Sequence, residues 1–185
     1  MAKMKYIQKT TIAGDTIEIE KTRSARFGEK IPRSQNENGT PKSVKEINRR
    51  NAIKKLTRIL NANFWPNDLH IVLTYSDDYL PTSPQEGQKL LDKFKRDMRK
   101  AMQDEGKEFL YVAVTEGLSR RLHHHLVISA AEIDTLTRLW PWGAVRIRPL
   151  EKNREYSKLA EYLVKETDRT FRPSGFSMQK ALDRI

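Results

Sequence analysis

The sequence predicts an α+β fold built on an antiparallel sheet, and three observations carry that prediction. From residue 69 the elements run β-α-β-β-α-β-α. The two consecutive strands in the middle are joined by a short connection, which pairs them antiparallel. Each long helical segment carries one apolar stripe suited to a core. At 185 residues the chain suits one domain, or one domain with an appendage, and is long enough for a real hydrophobic core. No run of about 18 apolar residues is present, so no membrane span and no membrane partner is expected. The opening Met1-Ala2-Lys3-Met4-Lys5 has no apolar stretch behind it and does not read as a signal peptide. The chain has no cysteine, which removes disulfides and thiolate sites and fits a reducing cytoplasm.

Lys5 to Thr11 and Thr16 to Glu20 are β-rich and flank turn chemistry at Ala13-Gly14-Asp15, so the chain opens with a hairpin. Residues 22–41 hold Gly28, Pro32, Asn36, Asn38, Gly39 and Pro41 among many charges and read as a basic arm. A helix is expected from Ser43, where Ser43-Val44-Lys45-Glu46 has the form of a capping box. Its apolar face is Val44, Ile47, Ile53, Leu56 and Leu60, and Trp65-Pro66-Asn67-Asp68 ends it. Leu69 to Tyr75 is a short β-branched run suited to a buried strand.

The next helix is expected to open at Ser83-Pro84-Gln85-Glu86, with Ser83 as N-cap and Pro84 in the first turn. Leu90, Leu91, Phe94, Met98 and Met102 are its core stripe. Phe109 to Glu116 and Leu122 to Ser129 are the paired strands. A short helix follows from about Glu132 to Leu139, then a Trp140-Pro141-Trp142-Gly143 turn packed on the core. Ala144 to Leu150 is another strand, and Asn153 to about Thr167 a last helix.

The formal net charge is +11 and is unevenly spread. Residues 1–60 carry 15 basic and 6 acidic side chains, residues 61–135 carry 9 and 12, and residues 136–185 carry 11 and 6. Basic ends thus flank a slightly acidic middle. A polyanion is the first partner such a balance suggests, and a nucleic-acid binder with a metal site in its middle has a use for the division.

Three of the four histidines are consecutive: His123, His124 and His125. On a strand, neighbours point to opposite faces, so His123 and His125 share a face and can reach one metal ion, while His124 points away. Glu116 ends the preceding strand with the parity of Leu110, Val112 and Val114, an unusual place for a carboxylate. Either it pairs with Arg120 or Arg121, or it joins the two histidines in a set of three ligands that leaves positions open for water or phosphate oxygens. On the last helix, Tyr156, Leu159, Ala160 and Leu163 form the apolar face. Tyr162 lies off that face with Lys158 at i−4 and Lys165 at i+3, and cations so placed favour a phenolate.

Taken together, Glu116-x6-His123-x-His125 followed by Tyr162-x-x-Lys165 resembles the HUH endonucleases, specifically the rolling-circle replication initiators with a single catalytic tyrosine. Leu69 to Tyr75, ending in Leu73-Thr74-Tyr75, resembles their first motif. The stretch from about Asn48 to Phe64 looks like replication-associated proteins of bacterial phages and mobile elements. The resemblance covers roughly residues 45–172, and the one departure is His124, where the family usually has a bulky apolar residue.

The resemblance implies a βαββαβ ferredoxin-like core with about five antiparallel strands and flanking helices. It divides the chain into an N-terminal hairpin and basic arm (1–41), a nicking endonuclease domain with a leading basic helix (42–172) and a C-terminal tail (173–185). It implies that Glu116, His123 and His125 bind Mg²⁺ or Mn²⁺, that Tyr162 attacks a phosphate of single-stranded DNA to give a 5′-phosphotyrosine, and that Lys165 assists. The substrate would be single-stranded DNA or an origin hairpin, with host replication machinery extending the freed 3′ end in a bacterial cytoplasm. Arg120, Arg121, Arg146, Arg148 and Lys158 are the expected phosphate contacts. A transposase or relaxase of the same superfamily shares this chemistry. A non-catalytic RRM-like module, stacking bases on Phe109 and Tyr111, explains the charge and topology but not the Glu, His and Tyr-Lys constellation. A zinc hydrolase would call for His-Glu-x-x-His, which is absent.

Overall fold

The structure, a computed structural model, describes residues 5–24, 42–117 and 121–165. Most of the basic arm, Arg120 and the tail at 173–185 lie outside the described residues.

The N-terminal hairpin forms as expected, from β1 (Lys5–Ala13) and β2 (Thr16–Ser24), which pair along their whole length around a turn at Gly14. Gly14 has φ +58, and a Cβ there would meet the carbonyl oxygen of Asn61, so only glycine lets the turn sit against the body. The hairpin is a separate two-stranded sheet. It is tied down by ion pairs of Glu18 and Glu20 with Lys54 and Arg58, and of Asp15 with Arg154.

The body is α+β. Four strands, β3 (Leu69–Thr74), β4 (Tyr111–Glu116), β5 (His123–Ile128) and β6 (Val145–Pro149), form one sheet in the order β4-β5-β3-β6, every pair antiparallel. Against an expected five or so, the described residues thus supply four, with the hairpin apart.

Strand alternation sorts the side chains into two cores. Ile71, Leu73, Tyr111, Leu126 and Ile128 point to one face and pack with Leu91, Phe94 and Met98 of α2 (Pro84–Asp104) and Leu136 of α3 (Ile133–Leu139). Val112, Val114 and Val127 point to the other and pack with Leu56, Leu60 and Phe64 from α1 (Lys42–Asn63) and its end, and with Tyr156, Ala160 and Leu163 at α4 (Ser157–Lys165). Among the described residues no helix is long and apolar enough to cross a membrane.

Three expectations are corrected. Helix α1 begins at Lys42, which puts Ser43 inside the first turn rather than at the cap. Its burial starts late: Val44 and Ile47 are 40% and 53% exposed, because this end of the helix runs past the sheet and only the stretch from Leu56 lies on it. Helix α4 starts at Ser157, not Asn153, since Arg154 takes φ 52, a left-handed conformation that a helix does not pass through. That residue is used elsewhere: its guanidinium reaches Asp15 and the Asn61 carbonyl and lies 3.5 Å over the Trp65 ring. By contrast, Ser83 caps α2 as expected, its hydroxyl accepting from the Glu86 amide, while the Glu86 carboxylate accepts from Thr82.

Candidate metal and nucleophile site

Residues directly opposite one another in an antiparallel sheet point to the same side. The register therefore lays out the α1/α4 face in three rows. One row is Glu116, His123 and Thr74; the next is Val114, His125, Val72 and Arg146; the third is Val112, Val127, His70 and Arg148. Helices α1 and α4 cover the β4/β5 side of this face, with Val112, Val114 and Val127 in their core, while Arg146 and Arg148 on edge strand β6 stay exposed.

Glu116, His123 and His125 converge. The Glu116 Oε2 lies 3.5 Å from Nε2 of His123 and 3.5 Å from Nε2 of His125, and one ligand atom from each of the three lies within 4.8 Å of the others. Glu116 and His125 are buried and His123 is half-buried. A carboxylate oxygen with two imidazole nitrogens suits a first-row divalent ion or Mg²⁺, and the gathering of three such atoms at a partly closed spot fits a single ion.

The far nitrogens of both imidazoles are spoken for. His123 Nδ1 is 3.0 Å from the Arg121 carbonyl oxygen, and His125 Nδ1 is 3.2 Å from His70 Nε2. Burial first, then the charges of His70 and His123, lower the His125 pKa to about 4, so the ring is neutral near pH 7 and keeps a lone pair. Burial and the Arg148 guanidinium lower that of His70 as well.

Tyr162 stands at the rim. It is 44% exposed, its hydroxyl is 3.4 Å from His125 Nε2, and the two rings meet edge to face at 5.3 Å. Tyr156 is buried in the core, as the helix pattern requires. Lys158 and Lys165 are exposed on the same helix.

His124 belongs to the opposite face. It is fully buried, with Nε2 2.7 Å from the Tyr75 hydroxyl and Nδ1 2.9 Å from the Thr115 hydroxyl, and burial lowers its pKa to about 3. A histidine stands where an apolar residue is usual because both of its nitrogens meet hydroxyls inside the protein.

Arg121 is engaged within the chain: its guanidinium donates to Asp77 and to the Tyr75 carbonyl oxygen, tying the β4–β5 connection to the end of β3. Gly117, at φ +80, starts that connection, and a Cβ there would lie 2.0 Å from the Arg121 carbonyl oxygen. Trp140 is buried, its Nε1 donating to the Thr74 carbonyl oxygen, and Trp142 packs against it. Phe109 and Tyr111 are buried in the core with α2, so they are not available to stack on bases.

Sequence reasoning did not single out His70, Gly117 or the Arg121 carbonyl. The signal for His70 was its parity with Val72 and Thr74, opposite to the core-facing Leu73.

A family model, that of the ORF2-type replication-associated proteins, matches residues 68–168, more than half of the chain and the span from β3 through α4. The match leaves the hairpin and α1 outside it. Searches of curated proteins and of solved structures found no match.

Proposed function

The chain belongs to the family of ORF2-type replication-associated proteins, and from that premise we propose that it is a HUH endonuclease of the single-tyrosine kind, nicking and rejoining single-stranded DNA at an origin of rolling-circle replication. One observation carries the reading: the ligand atoms of Glu116, His123 and His125 converge within 4.8 Å beneath an accessible tyrosine hydroxyl, 3.4 Å from His125 Nε2. Those three side chains would hold Mg²⁺ or Mn²⁺. A divalent ion bound there supplies Lewis-acid polarisation of a phosphate oxygen.

The chain's own residues do the rest. The Tyr162 oxygen attacks phosphorus, the P–O3′ bond breaks, the phenolic proton leaves to solvent and the departing 3′ oxygen takes one up. The product is a 5′-phosphotyrosine and a free 3′-OH that a host polymerase extends; attack by a 3′-OH on the same linkage rejoins the strand. Lys165 and Lys158 favour the phenolate and hold the phosphate. Arg146 and Arg148, exposed on the same sheet face, guide the DNA backbone toward the cluster, with Arg120 as a further contact. Arg121 serves by holding its loop. The enzyme acts on single-stranded DNA or an origin hairpin in the cytoplasm of a bacterial host.

Family membership favours replication over transposition or conjugation. The burial of Phe109 and Tyr111 counts against a base-stacking RRM-like module.

The test is covalent capture. The protein is incubated with a randomised single-stranded DNA pool and Mn²⁺ and examined for SDS-stable protein–DNA adducts. Adducts should form, vanish with EDTA, and be absent from Tyr162→Phe; adducts that persist in Tyr162→Phe assign the nucleophile elsewhere.

A further inference from the structure

We propose that His70 is a positioning residue: it accepts a hydrogen bond from Nδ1–H of His125 and so turns the Nε2 lone pair of His125 into the Glu116–His123–His125 cluster. The inference rests on the metal-site reading above and deepens it.

The two rings lie side by side, 5.5 Å between centroids and 26° between planes, with His70 Nε2 3.2 Å from His125 Nδ1. A neutral imidazole carries its proton on one nitrogen and a lone pair on the other. The His125 nitrogen that approaches Glu116 is Nε2. To ligate through it, His125 must keep its proton on Nδ1, the atom facing His70. His70 must then present Nε2 as an acceptor and hold its own proton on Nδ1. Were His70 the donor, the proton of His125 would sit on Nε2, aimed at the cluster, and that ring would offer no lone pair there.

The other histidine of the pair shows the same device by different means. His123 Nδ1 faces the Arg121 carbonyl oxygen at 3.0 Å, an atom that can only accept. Each converging imidazole therefore has an acceptor behind it, one from the backbone and one from a side chain 55 residues away. Such partners fix tautomer and ring plane, and losing one typically weakens metal binding about 10–100-fold.

His70 is held for this role by its strand. It sits on β3 opposite Val127 of β5 and Arg148 of β6, on the cluster's face, one step along from the Val72–His125 pair. An apolar side chain would fill the same place next to Val127 equally well and would leave the His125 Nδ1–H without its acceptor.

The experiment measures Mn²⁺ affinity of the full chain by calorimetry, alongside adduct formation as a function of Mn²⁺. The variants are His70→Leu, His70→Phe, His70→Gln and, as a control for the site itself, His123→Ala. His70→Leu and His70→Phe should bind Mn²⁺ about 10–100-fold more weakly and recover much of the adduct yield when Mn²⁺ is raised to saturation. His70→Gln should lie close to wild type, because its amide oxygen accepts where the imidazole did.

The ordering Gln above Leu and Phe is the signature, and a structural role alone would not give it. If Gln weakens binding as much as Leu does, or if neither apolar variant weakens it while His123→Ala does, the inference is overturned and the metal site stands. If His123→Ala binds as wild type does, the metal-site reading itself fails. Should one apolar variant not fold, as judged by its thermal transition, the comparison of Gln with the other decides.

Discussion

His124 and His125 are adjacent, identical in chemistry and both buried, yet they sit in two different parts of the molecule. On the α2/α3 face, His124 lies among Tyr75 and Trp140, and both of its nitrogens end on hydroxyls of the protein. On the α1/α4 face, His125 has one nitrogen toward His70 and turns the other to Glu116 and Tyr162. Burial alone does not distinguish them, since it depresses both pKa values, to about 3 and about 4. The difference is where the second nitrogen points. A histidine whose two nitrogens are consumed by hydroxyls is a core residue that happens to be polar. One whose second nitrogen converges with a carboxylate and another imidazole is placed to bind something.

The largest effect that can break this comparison comes from exchanging the losses. His125→Ala should reduce adduct formation by about 10³-fold or more, since metal polarisation of a phosphate is worth several kcal/mol, while the thermal transition moves little. His124→Ala should do the reverse: it opens a buried cavity and strips partners from the Tyr75 and Thr115 hydroxyls, costing about 3–5 kcal/mol, yet leave Mn²⁺ affinity of the folded fraction near wild type. Thermal denaturation and Mn²⁺ titration of both variants check it. If His124→Ala also abolished metal binding, the separation of the two faces would be wrong.

Acid titration sharpens the same comparison through stability. Both histidines have folded pKa values below the 6.5 of the unfolded chain. Above pH 6.5 they are neutral in both states and stability does not depend on them. As pH falls from 6.5 toward 4, the unfolded chain takes up protons that the native state refuses, so stability declines; the His124 contribution continues to fall to about pH 3. At ~1.4 kcal/mol per pH unit for each group, the metal-free protein should lose several kcal/mol over this window. His124→Leu should make the decline roughly half as steep. Urea unfolding in EDTA from pH 7.5 to 4 measures both slopes; a wild-type slope unchanged in His124→Leu would contradict the burial assigned to that ring.

Much of this was legible in the residues themselves. Alternation along a strand separates His124 from its neighbours without any knowledge of the fold, and parity with Val112 and Val114 puts Glu116 on the inner face. The spacing of Tyr162 against Leu159 and Leu163 takes it off the core. These are local periodicities, and local periodicity is what a sequence displays. The parts that escaped depend on pairing between distant segments. His70 is unremarkable until β3 is laid beside β5 in register, which brings its ring to His125. Val44 and Ile47 have helical spacing, but spacing does not say how far a helix extends past the sheet it packs on. The Arg121 side chain reads as a free cation in a turn until Asp77 and the Tyr75 carbonyl are seen to hold it. Arg154 lies within an apparently helical stretch, and only its contacts with Asp15, Asn61 and Trp65 account for the left-handed break.

The smallest effect tests the front face alone. Gly117 has φ +80, which an L side chain adopts at a cost of about 1 kcal/mol or more. A methyl group there would stand 2.0 Å from the Arg121 carbonyl oxygen and 3.1 Å from His123 Nδ1. In Gly117→Ala the carbonyl must therefore retreat, and it is the acceptor that orients His123. Mn²⁺ affinity should fall roughly tenfold, at the low end of what an orienting partner contributes, with a thermal transition lowered by a few degrees. Nothing at this position touches the Tyr75–His124–Thr115 chain, so the acid slope of stability should keep its wild-type shape. A variant that loses the slope and keeps the metal would mean that the connection between β4 and β5 supports the back of the sheet and not the cluster in front of it.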